Sequence, residues 1–325
     1  MKAIVCDDYG PIENLRLADQ APPVPGKGQL RVRNHAIGVN FPDGLLVQGL
    51  YQARPDTPFV PGCEFAGVVE AIGPGTTGFE VGDRVACYTP NCGAWAEQVV
   101  LYANCAIRIP DSMPFADAAC ILCAHGTAHH ALRQRAKLQA GETLLVLGAA
   151  GGTGLAAVQI GKAMGARVIA ACSSAEKLDI AKANGTDELI NYSQQDLKTA
   201  LKELTGGKGV DVVYDPVGGE AFDAVTRCMA RNGRLLVVGF ASGQIPKFPV
   251  NLALVKEYAV LGVFWGSFVV HEPKVFASNM TEMFSWYEQG KVRLVLDEQL
   301  PLAQAVPALQ KVMNRQVKGK VVLLP

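Results

Sequence analysis

The sequence predicts an α/β protein in which a doubly wound parallel sheet is joined to a smaller, mainly-β domain. Three observations carry this. Six apolar strand candidates between residues 143 and 265 are mostly separated by helical patterns, and strand–helix alternation of this kind builds parallel sheets. A glycine-rich turn stands between the first of these strands and the first helix, the context in which such turns bind phosphate. The roughly 120 residues before them are rich in Gly and Pro and poor in helical periodicity, as in a barrel of short strands.

Turn signals divide the N-terminal part: Pro22-Pro23, Pro25-Gly26, Pro61-Gly62, Gly73-Pro74-Gly75 and Gly82-Asp83. Between them LRVRNHAIGVN, CEFAGVVEAIG, DRVACYT and AEQVVLYANCAIRIP read as mostly antiparallel strands. Residues 114–138 read as a helix or helix pair. Strands are then expected at 143–148, 167–172, 188–190, 210–215, 234–239 and 259–265, with helices at 155–164, 175–184, 194–204 and 220–230. A long helix at 273–288, a shorter one at 303–314 and a strand at 320–324 complete the chain.

The 325 residues suggest two domains, and 49% hydrophobic with 18% charged residues leave ample material for a core. Lys+Arg and Asp+Glu are both 30, so no charge imbalance draws nucleic acid or an anionic membrane. No apolar run reaches the roughly 18 residues of a membrane span. The start, MKAIVCDDYG, is a poor secretory or transit signal, and a cytoplasmic location is expected. The nine cysteines are odd in number and scattered, which suits reduced thiols better than a disulfide framework. Cys120 and Cys123 lie in an Ala-rich helical stretch and read as buried small hydrophobes.

The glycine turn is Ala149-Ala150-Gly151-Gly152-Thr153-Gly154. Gly151 and Gly152 let a pyrophosphate approach the backbone, and Gly154 lets helix and strand pack closely. The N–H groups and dipole of the helix that follows favour the anion, so Ala150, Thr153 and the three glycines are expected to bind a dinucleotide. The first motif glycine is replaced by Ala149. At the end of the second strand, where an NAD site usually carries Asp or Glu, this chain has Cys172 followed by Ser173 and Ser174, with Lys177 beyond. Without a carboxylate to repel it, a 2′-phosphate can be held by two hydroxyls and an ammonium, in bonds worth about 1.5–3 kcal/mol each. NADPH is therefore the expected cofactor. In the other reading the serines merely cap the next helix, which suits either dinucleotide.

Over essentially its whole length the chain resembles the medium-chain dehydrogenases and, within them, the quinone oxidoreductases. The resemblance rests on GVNFPDGLLVQGLY, PGCEFAGVVEAIGPG, VGDRVA, GAWAEQ, GTAHHAL, AAGGTG, GKGVDVVYDPVGG, GRLLVVGFASG and GKVVLLP, in that order. It implies a GroES-like catalytic domain from residues 1–123 and 266–325, a Rossmann domain from 124–265, and a cleft between them for nicotinamide and substrate. It places Tyr192 near the adenosine phosphate and Phe240, Ala241, Ser242, Val263 and Phe264 near the nicotinamide, and Thr127 in GTAHHAL joins the cofactor set. Zinc members need Cys and His ligands converging from three segments. Here those positions hold Asn40, Cys63 and a residue near Ile121, so no metal is expected. His125 and His129 are four apart, but Gly126 stands where a zinc protease has Glu, and they read as histidines lining a helix face.

Without metal the simplest chemistry is hydride transfer to quinones, or alternatively to the C=C bond of enones or acrylates. A non-catalytic or RNA-binding protein on this fold is disfavoured by the neutral charge and the intact loop. Catalytic candidates are Asn40 for a ribose or substrate oxygen, Asp43 to orient neighbours, and Tyr51 to donate to the reduced oxygen. Asp43 also reads as a helix N-terminal charge and Tyr51 as a cleft-wall aromatic. The uncharged, apolar strand at 259–265 is expected at a sheet edge and to pair with a second copy in a homodimer; in the competing reading residues 266–280 fold back over that edge and leave a monomer.

Overall fold

Strand order gives this molecule its polarity. In the computed structural model, which describes residues 1–325, the strands and helices follow in chain order. The N-terminal elements are β1 (Lys2–Val5), β2 (Arg16–Asp19), β3 (Gln29–Val39), α1 (Phe41–Val47), β4 (Glu64–Ile72), β5 (Arg84–Tyr88), β6 (Gln98–Tyr102) and β7 (Ala106–Arg108). Then come α2 (Phe115–His130), β8 (Thr143–Leu147), α3 (Gly152–Ala163), β9 (Arg167–Cys172), α4 (Ala175–Ala183), β10 (Glu188–Asn191) and α5 (Leu197–Leu204). The rest are β11 (Val210–Asp215), α6 (Gly219–Thr226), β12 (Met229–Val237), α7 (Val250–Lys256), β13 (Ala259–Gly262), α8 (Trp265–His271), α9 (Pro273–Glu288), β14 (Leu296–Pro301), α10 (Ala305–Met313) and β15 (Lys320–Leu324).

The chain divides into two units. The first comprises Met1–Cys123, Gly266–Phe284 and Leu294–Pro325; the second comprises Ala124–Trp265 and Ser285–Arg293. Ser285–Arg293 groups with the second unit because Gln159 of α3 bonds both backbone groups of Arg293, at 3.1 and 3.0 Å. Arg293 also donates from Nε to Asn184 at 3.1 Å.

In the first unit a seven-stranded sheet runs β14-β15-β3-β4-β5-β7, with β6 also paired to β3. All its pairings are antiparallel except β14 with β15. From Gln29 to His35 the inward residues of β3 alternate with outward ones; from Ala36 to Val39 both faces are covered. Its core gathers Leu30, Val32, Ile37, Phe65 and Trp95, all fully buried. Gly62 takes φ +84°, and a Cβ there would fall within the Trp95 indole, 2.1 Å from its nearest carbon. The Pro61-Gly62 turn before β4 is thus shaped by the core beneath it.

The second unit is a six-stranded, wholly parallel sheet in the order β10-β9-β8-β11-β12-β13. The chain starts at β8, winds outward to β10, crosses back to β11 and winds outward to β13. The winding direction reverses between β8 and β11, and in open sheets ligands bind at the C-terminal strand ends beside such a reversal. Leu144–Leu147 of β8 and Val168–Ala171 of β9 are fully buried, as continuous apolar strands covered on both faces must be.

Several boundaries differ from those the sequence suggests. Helix α3 begins at Gly152, not 155, so the glycine motif forms its first turn. Strand β12 starts at Met229 and stops at Val237, and α6 stops at Thr226, where Arg227 and Cys228 turn the chain. Strand β13 ends at Gly262, because Trp265 opens α8. Gly126 of α2 leaves room for that Trp265 ring, which lies 2.8 Å from where a Cβ would sit. Helix α2 continues beyond His130 as a π-helical turn over Ala131–Arg135. Strand β13 does form an edge of the sheet.

Candidate functional site

At the C-terminal end of β8 the chain turns through Gly148, at φ +60°. Gly148 thus takes the left-handed position of the turn, one residue before Ala149, and composition alone did not single it out. Gly151 caps α3 with an ordinary φ of −77°. A Cβ on Gly154 would lie 2.2 Å from the Gly148 carbonyl oxygen, whereas a Cβ on Gly151 would meet only that oxygen, at 3.4 Å. Gly154 is therefore demanded by packing. Gly151 is exposed and demanded by nothing in the protein itself, and its bareness leaves the backbone open to a ligand. Gly152 and Thr153 follow in the first helical turn, whose N–H groups lack intrahelical partners. Thr153 Oγ1 is hydrogen-bonded to the hydroxyl of the buried Tyr214 on β11. Ala149 and Ala150 are buried.

The other expected cofactor residues lie at neighbouring strand ends. Ser173 is exposed just beyond β9. Ser174 caps α4, its hydroxyl accepting the Lys177 N–H at 3.3 Å, so the capping reading of that serine holds. Tyr192 follows β10 and donates its N–H to the Cys172 carbonyl at 3.1 Å, which sets it beside the end of β9. Phe240, Ala241 and Ser242 follow β12. Ala241 and Ser242 donate backbone N–H groups to Pro216 and Val217, at 3.0 and 2.9 Å. That supporting loop is held by the buried Asp215, whose Oδ1 accepts the N–H groups of Val217 and Gly218 at 2.7 and 2.9 Å. Burial raises the Asp215 carboxyl above its ordinary range. Val263 donates its N–H to Val237 at 3.0 Å, and the next residue, Phe264, is 55% exposed. Thr127 is half-buried on α2. The segments that follow β8, β9, β10, β12 and β13, including the first turns of α3 and α4, thus supply all of these residues but Thr127.

The expected catalytic residues lie in the first unit, around a buried ion pair. Lys320, the first residue of β15, donates from Nζ to Glu64 Oε1 at 2.7 Å and to Asn40 Oδ1 at 2.6 Å. Asn40 Nδ2 donates to the same Glu64 oxygen at 2.8 Å. Both polar atoms of the Asn40 amide are thus engaged, with one N–H left over. Burial alone would lower the Lys320 pKa; Glu64 and the neighbouring thiols overcome it and hold the ammonium charged. No motif marks Lys320, and Glu64 is marked only as the residue after Cys63. The available signals were a lysine heading an apolar strand and a glutamate inside the run CEFAGVV.

Asn40 also precedes α1, and its backbone N–H donates to Asp43 Oδ2 at 2.8 Å. Asp43 therefore serves as a helix N-terminal carboxylate, but a buried one. Burial lifts it to about 7, against the opposing pull of the Asn40 N–H and Lys320. Tyr51 is half-buried; burial, with the thiols of Cys63 and Cys123 and the charge of Asp43, raises its phenol to about 12. Cys63 lies 3.9 Å from Asp43 Oδ1 and 3.8 Å from the Cys123 sulfur. Cys120 is fully buried, as expected, while Cys123 is partly exposed. No three His, Cys, Asp or Glu side chains converge to hold a metal ion. His125 is buried with Nε2 3.3 Å from Gln159 Oε1, and the buried His129 packs on Trp286 with ring centroids 5.6 Å apart.

Family models match two stretches: an alcohol dehydrogenase GroES-like domain over residues 26–111 and a zinc-binding dehydrogenase domain over 152–286. A quinone oxidoreductase of Pseudomonas aeruginosa is 39% identical, over 98% of this chain and 97% of its own. This chain belongs to the quinone oxidoreductase family of medium-chain dehydrogenases. A 2-haloacrylate reductase of a Burkholderia species is 34% identical, over 100% of this chain and 99% of its own. The crystal structure of the Escherichia coli quinone oxidoreductase complexed with NADPH superposes with a TM-score of 0.94, at 30% identity and full coverage of both chains. In this quinone oxidoreductase family member, no helix is long and apolar enough to cross a membrane.

Proposed function

We propose that the protein is an NADPH-dependent reductase that transfers hydride to quinones or related conjugated carbonyl acceptors without a metal. The observation that carries this reading is Gly151, a glycine required by neither backbone angle nor packing, at the end of a parallel strand beside the winding reversal. The pyrophosphate would lie against this loop and the first turn of α3. Ser173 and Lys177 would take the 2′-phosphate, with Ser174 adding its remaining O–H and Tyr192 flanking the adenosine. Phe240, Ala241, Ser242, Val263, Phe264 and Thr127 would border the nicotinamide. NADPH supplies the hydride. Reduction leaves a phenolate or enolate oxygen on the acceptor. Tyr51, protonated up to about 12, presents an O–H to it. Asn40, held by Lys320 and Glu64, can offer its spare N–H, and Asp43 fixes the start of α1. In this reading the first unit is the catalytic domain and the second the dinucleotide-binding domain.

A screen of NADPH oxidation against a benzoquinone, a phenanthrenequinone, an enone and an acrylate tests the proposal. Turnover confined to the quinones supports it. Turnover confined to the enone or acrylate moves the function to C=C reduction, the second reading favoured by the haloacrylate reductase relative. No turnover with any of the four overturns both.

The assembly proposed is a homodimer paired through β13. Val250, Leu254 and Val255 of α7, the helix that precedes β13 in the chain, are each more than 70% exposed, an apolar surface that a monomer rarely leaves uncovered. Light scattering should give the mass of two chains, reduced by Leu261→Lys; one chain at all concentrations would end the idea. A cytoplasmic location suits the nine unpaired cysteines.

A further inference from the structure

Two partly buried cysteines face each other in the first unit, and the reduction chemistry leaves them unused. Cys63 ends the Pro61-Gly62 turn and Cys123 lies on α2, sixty residues along the chain, yet their sulfurs are 3.8 Å apart. The approach is held by backbone. Glu64, next to Cys63, accepts the Cys123 N–H on Oε2 at 2.9 Å, while its other oxygen is fixed by Lys320 and Asn40. Asp43 Oδ1 lies 3.9 Å from the Cys63 sulfur.

We propose that Cys63 and Cys123 are a reversible dithiol–disulfide couple beside the substrate-reducing residues, closed by a two-electron oxidant of the quinone or azodicarboxamide class. In the closing step two S–H bonds break and one S–S bond forms. Two electrons and two protons pass to the oxidant, so a quinone leaves as its hydroquinone. The sulfurs must move from 3.8 Å to about 2.05 Å, while the Glu64 bond to the Cys123 N–H ties the two segments together. The hydrogen bond from Cys123 lowers the Cys63 thiol, but burial, Asp43 and Glu64 leave it raised overall; burial and the same contact raise Cys123. Both groups therefore rest as thiols, and the couple closes slowly unless oxidant is in excess. Closure would replace two movable thiols beside Asp43 with a rigid link, and a thiol reductant would reopen it.

The test uses the full chain and no turnover, so it stands apart from the reductase reading. Protein is treated with diamide, or with a benzoquinone in the absence of NADPH. Remaining thiols are capped with N-ethylmaleimide, and intact mass and peptide maps are recorded before and after dithiothreitol. The expected result is a mass lower by two hydrogens and a Cys63–Cys123 linked peptide pair that dithiothreitol dissolves. Retention of phenylarsine oxide at one per chain, kept in Cys92→Ser and lost in both Cys63→Ser and Cys123→Ser, provides a second measurement. Linkage through any other pair of cysteines overturns the proposal. So does a carbon–sulfur quinone adduct in place of the disulfide, or an arsenical held equally by the Cys63 variant.

Discussion

The loop at 148–154 and the Asn40–Glu64–Lys320 cluster are polar regions made from different materials. The loop is backbone: a left-handed Gly148, a bare Gly151 and the open first turn of α3, all within seven consecutive residues. The cluster is side chain: an ammonium, a carboxylate and an amide brought together from strands β15, β4 and the end of β3, with Lys320 and Asn40 separated by 280 residues. A backbone site tolerates changes around it but none that fill it. A buried charged cluster tolerates the loss of no single member, because each leaves a partner unsatisfied.

The largest expected effect belongs to the cluster. Lys320→Met strands the Glu64 charge in a buried site and should cost about 3–5 kcal/mol of stability in denaturant unfolding. Lys320→Met combined with Glu64→Gln should recover part of that loss. Equal losses in the single and double variants would break the comparison, because the pair would then not be acting as a unit.

Within the loop, two glycines should part company. Gly154→Ala drives a Cβ into the Gly148 carbonyl and should cost about 1–3 kcal/mol of fold stability. Gly151→Val should leave the unfolding midpoint nearly unchanged while weakening NADPH binding more than about tenfold, a difference of some 1.4 kcal/mol. Fluorescence titration with normal NADPH affinity in Gly151→Val would move the cofactor elsewhere.

Smaller in effect, Lys177→Ala removes the charge-assisted contact proposed for the 2′-phosphate and should narrow the NADPH-over-NADH preference by about tenfold. Titration with both dinucleotides measures this, and an unchanged ratio would leave Ser173 and Lys177 without a role in selection.

A pH-dependent effect belongs to Asp43, raised from 3.8 to about 7 chiefly by burial. A raised carboxyl favours the fold when protonated. Its contribution is complete below about 3.8 and is lost as pH rises towards about 7. Asp43→Asn, whose amide oxygen can still accept the Asn40 N–H, should flatten the melting temperature across that window. A wild-type profile as flat as the variant's would contradict the shift.

The sequence by itself determined the parts whose physics is local. Strand–helix alternation settled the parallel sheet, since each βαβ unit is written in consecutive residues. The glycine spacing after β8 marked the turn that opens α3, and the missing carboxylate after β9 suited NADPH. Apolar, uncharged 259–265 was legible as an edge strand, though its end was not: the Trp265 ring packed on Gly126 starts a helix there. The motif assigned Gly154 to packing, and tertiary structure supplied the contact behind it, the Gly148 carbonyl that a Cβ would meet at 2.2 Å there and only at 3.4 Å on Gly151. Tertiary structure alone brought Lys320 to Glu64 and Asn40, and Cys63 to Cys123, since contacts between distant segments leave no period in either segment. Burial completed that decision, turning Asp43 from an ordinary helix-end carboxylate into one that titrates near neutrality, because a charge removed from water must be paired or neutralised.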